Sequence, residues 1–111
     1  MSTLADLECV PCKGGVPPLD PAACAALLER LGGEWELTEG ARRLVKTYTF
    51  RNFAEGLEFV NRVGAVAESQ KHHPDIYLAW GRVRVDIWTH KIDGLTESDF
   101  IFAAKCDAVF A

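Results

Sequence analysis

The hydrophobic pattern of this chain changes its period four times in 111 residues, and that alternation limits the fold more than any other feature. Apolar residues recurring about every 3.6 positions mark one face of a helix, whereas apolar residues at alternate positions mark a half-buried strand. The first run is helical. Asp20 is a capping residue, Pro21 suits a first helical position, and Cys24, Leu27, Leu28 and Leu31 repeat at i, i+3, i+4 and i+7 before Gly32 and Gly33 stop the run. Residues 34–38 and 42–50 then read as strands, joined by the hairpin-like connection Glu39, Gly40 and Ala41. In the second strand Leu44, Lys46, Tyr48 and Phe50 share a face.

Asn52 followed by Glu55 resembles a capping arrangement and opens the longest helix. Its expected core face is Phe53, Leu57, Val60, Val63 or Gly64, and Ala67, and it should run to about Gln70. Residues 75–80 and 82–90 predict a second hairpin about Gly81, with Val83, Val85, Ile87 and Thr89 on one face and Arg84, Asp86, Trp88 and His90 on the other. The last helix begins near Thr96, with Asp99 three residues on, and is apolar almost all round from Phe100 to Val109. One sheet face cannot cover such a helix on every side, so part of its surface is expected to meet another subunit. The order α-β-β-α-β-β-α predicts an α+β domain over residues 20–111: a four-stranded antiparallel sheet with three helices packed on one face. Residues 1–19, which contain KGGVPPL, are expected to form an extended N-terminal arm without a regular element.

Charge and composition exclude several classes. Sixteen acidic residues outnumber twelve basic ones, so a chain of net charge −4 offers no broad attraction to a nucleic-acid backbone. The longest apolar candidate, residues 59–67, is interrupted by Asn61 and Arg62, and the N-terminus lacks the basic-then-apolar order of a secretion signal. A cytoplasmic protein without a membrane span is expected. The chain is long enough for its own core, so its four cysteines need not form a disulfide framework. Cys24 and Cys106 fall at apolar helix positions, as buried free thiols do. Cys9 and Cys12, in CVPC, have half of a zinc-site spacing; a redox dithiol and an ordinary arm are the other readings.

The chemistry is concentrated. All three histidines lie between Glu68 and Asp99. His72 and His73 precede Pro74, which disfavours helical backbone at His73 and so ends the long helix there. His90 ends a strand. The three converge only if the end of the fourth strand lies beside the end of the second helix. Histidine suits proton transfer near neutrality. Glu68, one turn before His72 if the helix persists that far, can orient an imidazole, and Asp99 can do so from the last helix. Other uses stay open: a solvated histidine pair at a helix end, Asp99 as a capping partner of Thr96, and Trp80 as hairpin packing. A metal site is disfavoured, because adjacent side chains diverge and the i, i+4 zinc spacing is absent.

Glu68, three residues, His72-His73-Pro74, five residues, Trp80, nine residues, His90, eight residues and Asp99 together resemble the signature of the pterin-4a-carbinolamine dehydratases. YTFRNFAEGLEFVNRVGAVAE and THKIDGLTESDF are similar to that family too, so the resemblance covers residues 19–111 and leaves the arm outside. It implies a small α+β domain that forms homodimers or homotetramers. It also implies a hydro-lyase reaction, loss of water from a 4a-hydroxytetrahydropterin to give the quinonoid dihydropterin, with no metal or organic cofactor. By the same resemblance His72, His73 and His90 are acid, base and hydroxyl-binding groups, and Glu68 and Asp99 orient them. Pro74, Trp88 and Thr89 would line the substrate. Tetrahydrobiopterin recycling for an aromatic amino-acid hydroxylase is the implied context. Relatives with this fold also serve as dimerisation partners of a transcription factor or as assembly factors, which leaves an interaction protein as the alternative.

Overall fold

The computed structural model describes residues 4–7, 9 and 17–110. Its elements are α1 (Pro21–Leu31), β1 (Glu36–Thr38), β2 (Arg43–Thr49), α2 (Phe53–Gln70), β3 (Asp75–Ala79), β4 (Arg82–Ile87) and α3 (Glu97–Phe110), the expected α+β order. The strands form one sheet in the order β1-β2-β4-β3, antiparallel at every pair. Leu44 lies opposite Ile87, Tyr48 opposite Val83 and Ile76 opposite Val85. This register puts Leu44, Tyr48, Val83, Val85 and Ile87 on one buried face, as strand alternation requires. No helix among the described residues is long and apolar enough to cross a membrane.

Helix starts follow local chemistry. The Asp20 carboxylate accepts the Ala23 amide at 2.8 Å, and the Asn52 side chain accepts the Glu55 amide at 2.9 Å. At the C-terminal end of α2, Lys71 adopts left-handed backbone (φ 54°) and donates its amide to the Ala67 carbonyl.

Two expectations about buried faces need correction. In α2 the buried stripe is Gly56, Phe59, Val63 and Ala67, whereas Phe53 and Leu57 remain 45% and 43% exposed. Two apolar stripes run side by side on this helix, and the sheet takes the one that can approach closely. A β-carbon on Gly56 would stand 3.1 Å from a Leu78 methyl, and Phe59 joins the rings of Tyr48 and Phe50 at 4.5 and 5.4 Å. A β-carbon on Gly64, on the other side, would meet nothing within 4 Å, so Gly64→Ala should raise stability by about 0.5–1 kcal/mol in urea unfolding. A loss of stability would mean that another molecule occupies that side.

The second correction concerns α3. Phe100, Ile101, Phe102 and Ala103 are consecutive and all buried, yet the cover comes from within the chain. α3 packs against α1, α2 and the N-terminal segment. That segment is not an extended arm throughout: Leu4–Asp6 form a 3-10 turn with Leu4 buried, and the Lys105 ammonium donates to the Ala5 carbonyl at 2.8 Å. An uncovered apolar helix side drives this docking, which covers Phe100 to Ala103 from within the chain, whereas Phe110 at the end of α3 stays 43% exposed. Leu4→Ala should cost about 2–3 kcal/mol, read as a lower urea midpoint. An unchanged midpoint would show that the turn is not part of the core.

The cysteines divide as their positions suggest. Cys24 and Cys106 are buried free thiols, and burial pushes both thiol pKa values up. Cys9 donates its amide to the Gln70 side chain at 3.0 Å and its thiol to the Ser98 carbonyl, while Cys12 lies outside the described residues.

Candidate active site

An antiparallel hairpin returns the chain to its starting end, and here that end is occupied by histidines. β3 begins directly after His72, His73 and Pro74, and Asp75 pairs with Asp86 near the end of β4. Trp88, Thr89 and His90 therefore emerge beside the C-terminal end of α2. Thr89 then bridges to Gly94, donating its amide to the Gly94 carbonyl at 2.9 Å, and the short loop between them returns the chain to the start of α3. The result is a cleft of about 260 Å³ lined by Lys71, His72, His73, Trp88, Thr89, His90 and Lys91. It is smaller than the roughly 300–1,000 Å³ common for small-molecule sites.

Asp99 ties the site to the fold. It is fully buried and has two duties. Its Oδ2 accepts the Thr96 amide at 2.8 Å, the capping arrangement expected from spacing, and also the Thr89 hydroxyl at 2.8 Å. Its Oδ1 lies 2.6 Å from His72 Nε2. A carboxylate offers only acceptors, so Nε2 is the protonated nitrogen of His72 and Nδ1 is left for other partners.

Glu68 meets a different histidine from the one expected. Its Oε2 lies 2.5 Å from His73 Nε2, not beside His72. The reason is the left-handed turn at Lys71, which ends the helical spacing before His72 and rotates the following residues. Both members of this pair are exposed, in contrast to the mostly buried His72–Asp99 pair. His90 is held differently again. It does not end the strand as expected: β4 stops at Ile87, and His90 opens a 3-10 turn (His90–Ile92), with its ring 4.4 Å from that of Trp88 at 43°.

Of the sequence-predicted residues, then, the cleft gathers His72, His73, His90, Trp88 and Thr89, with Glu68 and Asp99 as hydrogen-bond partners. Pro74 serves the chain path and does not line the cleft. Trp80 stands at the far turn of the hairpin, 72% exposed. Lys71 and Lys91 were missed, although each directly flanks a histidine in the sequence. A larger recess of about 600 Å³ beside α2 contains no histidine, and its charges are taken up in Arg51–Glu55 and Arg62–Glu58 ion pairs. Among the described residues, no group of three or more histidine, cysteine or acidic side chains is placed to hold a metal ion.

Two imidazoles with carboxylate partners and a third on a separate element provide several proton-transfer groups around one small volume. The relatives agree on one family. The family model described as Pterin 4 alpha carbinolamine dehydratase matches residues 17–109. A protein of Rubrobacter xylanophilus, provisionally named a pterin-4-alpha-carbinolamine dehydratase, is 58% identical over 107 residues, 96% of this chain and 98% of its own. One of Halorhodospira halophila with the same provisional name is 50% identical, covering 98% of this chain and 99% of its own. Among solved structures, a transcriptional coactivator/pterin dehydratase from Brucella melitensis superposes with a TM-score of 0.78 at 29% identity, over 85% of this chain and 99% of that one. A pterin dehydratase-like protein identified as a RuBisCO assembly factor in the alpha-carboxysome shares the fold, with a TM-score of 0.62 at 22% identity over 73% of this chain and 94% of its own. With the match running through the sheet, α2 and the histidine cleft alike, the chain belongs to the pterin 4 alpha carbinolamine dehydratase family, a family of hydro-lyases.

Proposed function

We propose that this chain removes water from a 4a-hydroxytetrahydropterin, giving the quinonoid dihydropterin, as part of tetrahydrobiopterin recycling beside an aromatic amino-acid hydroxylase. The observation that carries the reading is the gathering of His72, His73 and His90 around one cleft, two of them on carboxylate partners. In the reaction the carbon–oxygen bond at C4a breaks, the hydroxyl leaves as water with a proton from an acid, and the ring system gives up a proton to a base. The histidines share the acid, base and hydroxyl-binding roles, while Asp99 and Glu68 set the tautomers of His72 and His73. Trp88 and Thr89 line the heterocycle, and Pro74 contributes by fixing the turn from His73 into β3. The test is the loss of freshly generated 4a-hydroxytetrahydropterin, followed spectrophotometrically. The protein should accelerate it well above the buffer rate, and equality with buffer would refute the assignment.

A homodimer or homotetramer working in the cytoplasm completes the reading. Its support is the exposed apolar pair Phe53 and Leu57, one turn apart on α2, which also keeps an interaction role in view. Light scattering should give a mass of two or four chains. A monodisperse monomer would contradict it.

A further inference from the structure

His90 lacks the buried carboxylate that holds His72, but a different device surrounds it. Extending the register of Leu44 with Ile87 by one step places Arg43 directly across the sheet from Trp88. The Arg43 guanidinium carbon lies 4.2 Å from the Trp88 ring centroid, and Trp88 lies 4.4 Å from the His90 ring. Trp88 therefore contacts both the arginine and the imidazole. Planar guanidinium over indole is the favoured cation–π pairing, and it restrains an aromatic side chain that is otherwise only partly buried.

The same arginine also reaches the backbone of His90, through Asp93. Its Nη2 donates to Asp93 Oδ1 at 2.7 Å, and Arg42 adds a longer contact of 3.3 Å to Oδ2. Asp93 closes the 3-10 turn that His90 opens: it sits in left-handed backbone (φ 47°) and donates its amide to the His90 carbonyl at 3.3 Å. The hydrogen bond from Arg43, helped by the charge of Arg43 and Arg42, holds the Asp93 carboxyl below the usual carboxylate range. The tether therefore stays ionic throughout the range in which histidines titrate.

We infer that Arg43 is a positioning residue for His90, fixing the plane of its imidazole through Trp88 and the path of its backbone through Asp93. This rests on the dehydratase reading for its catalytic consequence, but not for its geometry. Arg43 does not itself line the cleft, and its hydrogen bonds go to Arg42 and Asp93 and not to a histidine.

Two readouts test it. In NMR spectra of the substrate-free protein, the His90 ring protons should carry a ring-current displacement from the indole. In Arg43→Ala they should move toward free-histidine positions, while those of His72 stay in place. In the dehydration assay, Arg43→Ala should lower kcat roughly tenfold, the scale of a misplaced catalytic group, with KM changed by less than about twofold. Arg43→Lys keeps the charge near Asp93 but not the planar stack, so it should fall between the two and, if Arg43→Ala folds poorly by circular dichroism, serve in its place. Unchanged His90 resonances in a folded variant would overturn the inference, as would displaced resonances with unaltered kcat. A wild-type protein without dehydratase activity would sink the functional reading instead, leaving the NMR comparison to decide the geometry.

Discussion

Removing the imidazole of His90 or His72 is expected to slow dehydration of 4a-hydroxytetrahydropterin by about 10²–10⁴-fold, the usual worth of a positioned acid or base. The two variants should differ in everything else. His90 is exposed and held mainly by its tilted ring contact with Trp88, so His90→Ala should leave thermal stability nearly unchanged. His72 is mostly buried against Phe102 and bonded to the fully buried Asp99, so His72→Ala strands a carboxylate oxygen and should cost about 1–3 kcal/mol as well. Combining the two should cost less than the product of the separate losses, because groups acting in one reaction are not additive. Single-turnover rates and melting curves on the same preparations check both halves. A His90→Ala protein within about threefold of wild type would remove His90 from the mechanism.

Asp99→Ala should be the most destabilising single change near the site, at about 3–5 kcal/mol. Three donors lose their acceptor together: His72 Nε2, the Thr89 hydroxyl and the Thr96 amide that begins α3. Each buried donor left without a partner costs about 1–3 kcal/mol, and the lost cap is part of that sum. For a domain of this size the melting temperature should fall by roughly 15–25 °C. Asp99→Asn separates the roles. Its shape is retained, but an amide nitrogen now faces a donor, so it should recover part of the stability while His72 loses its fixed tautomer and activity stays low. If Asp99→Ala melted within a few degrees of wild type, this carboxylate would not be the link between cleft and core.

Much of the architecture was legible because it depends on neighbours a few residues apart. Asp20, Asn52 and Thr96 with Asp99 each mark a helix start through a bond spanning three residues. Pro74 marks the end of the long helical run for a reason contained in one peptide unit. Alternation from Val83 to Ile87 sets a strand and its inner face. Less could be read where two local solutions compete. On α2 the stripe through Phe53 and Leu57 is as apolar as the one through Phe59 and Val63, and only the fit of Gly56 against Leu78 separates them. The cover of α3 by Leu4 joins segments about a hundred residues apart, beyond any periodicity.

The histidine site divides along the same line. By itself the sequence determined that a helix must stop at His72, His73 and Pro74, that a strand must lead to His90, and that Asp99 would cap the last helix. These are consequences of backbone sterics, strand alternation and short hydrogen bonds. Only the tertiary structure decided the partners: Asp99 for His72, Glu68 for His73, and Trp88 with Arg43 behind it for His90. One left-handed residue, Lys71, rotates the imidazoles away from their helical spacing, and one hairpin register sets which side chains face them. Neither angle nor register is a property of the residues that carry the chemistry.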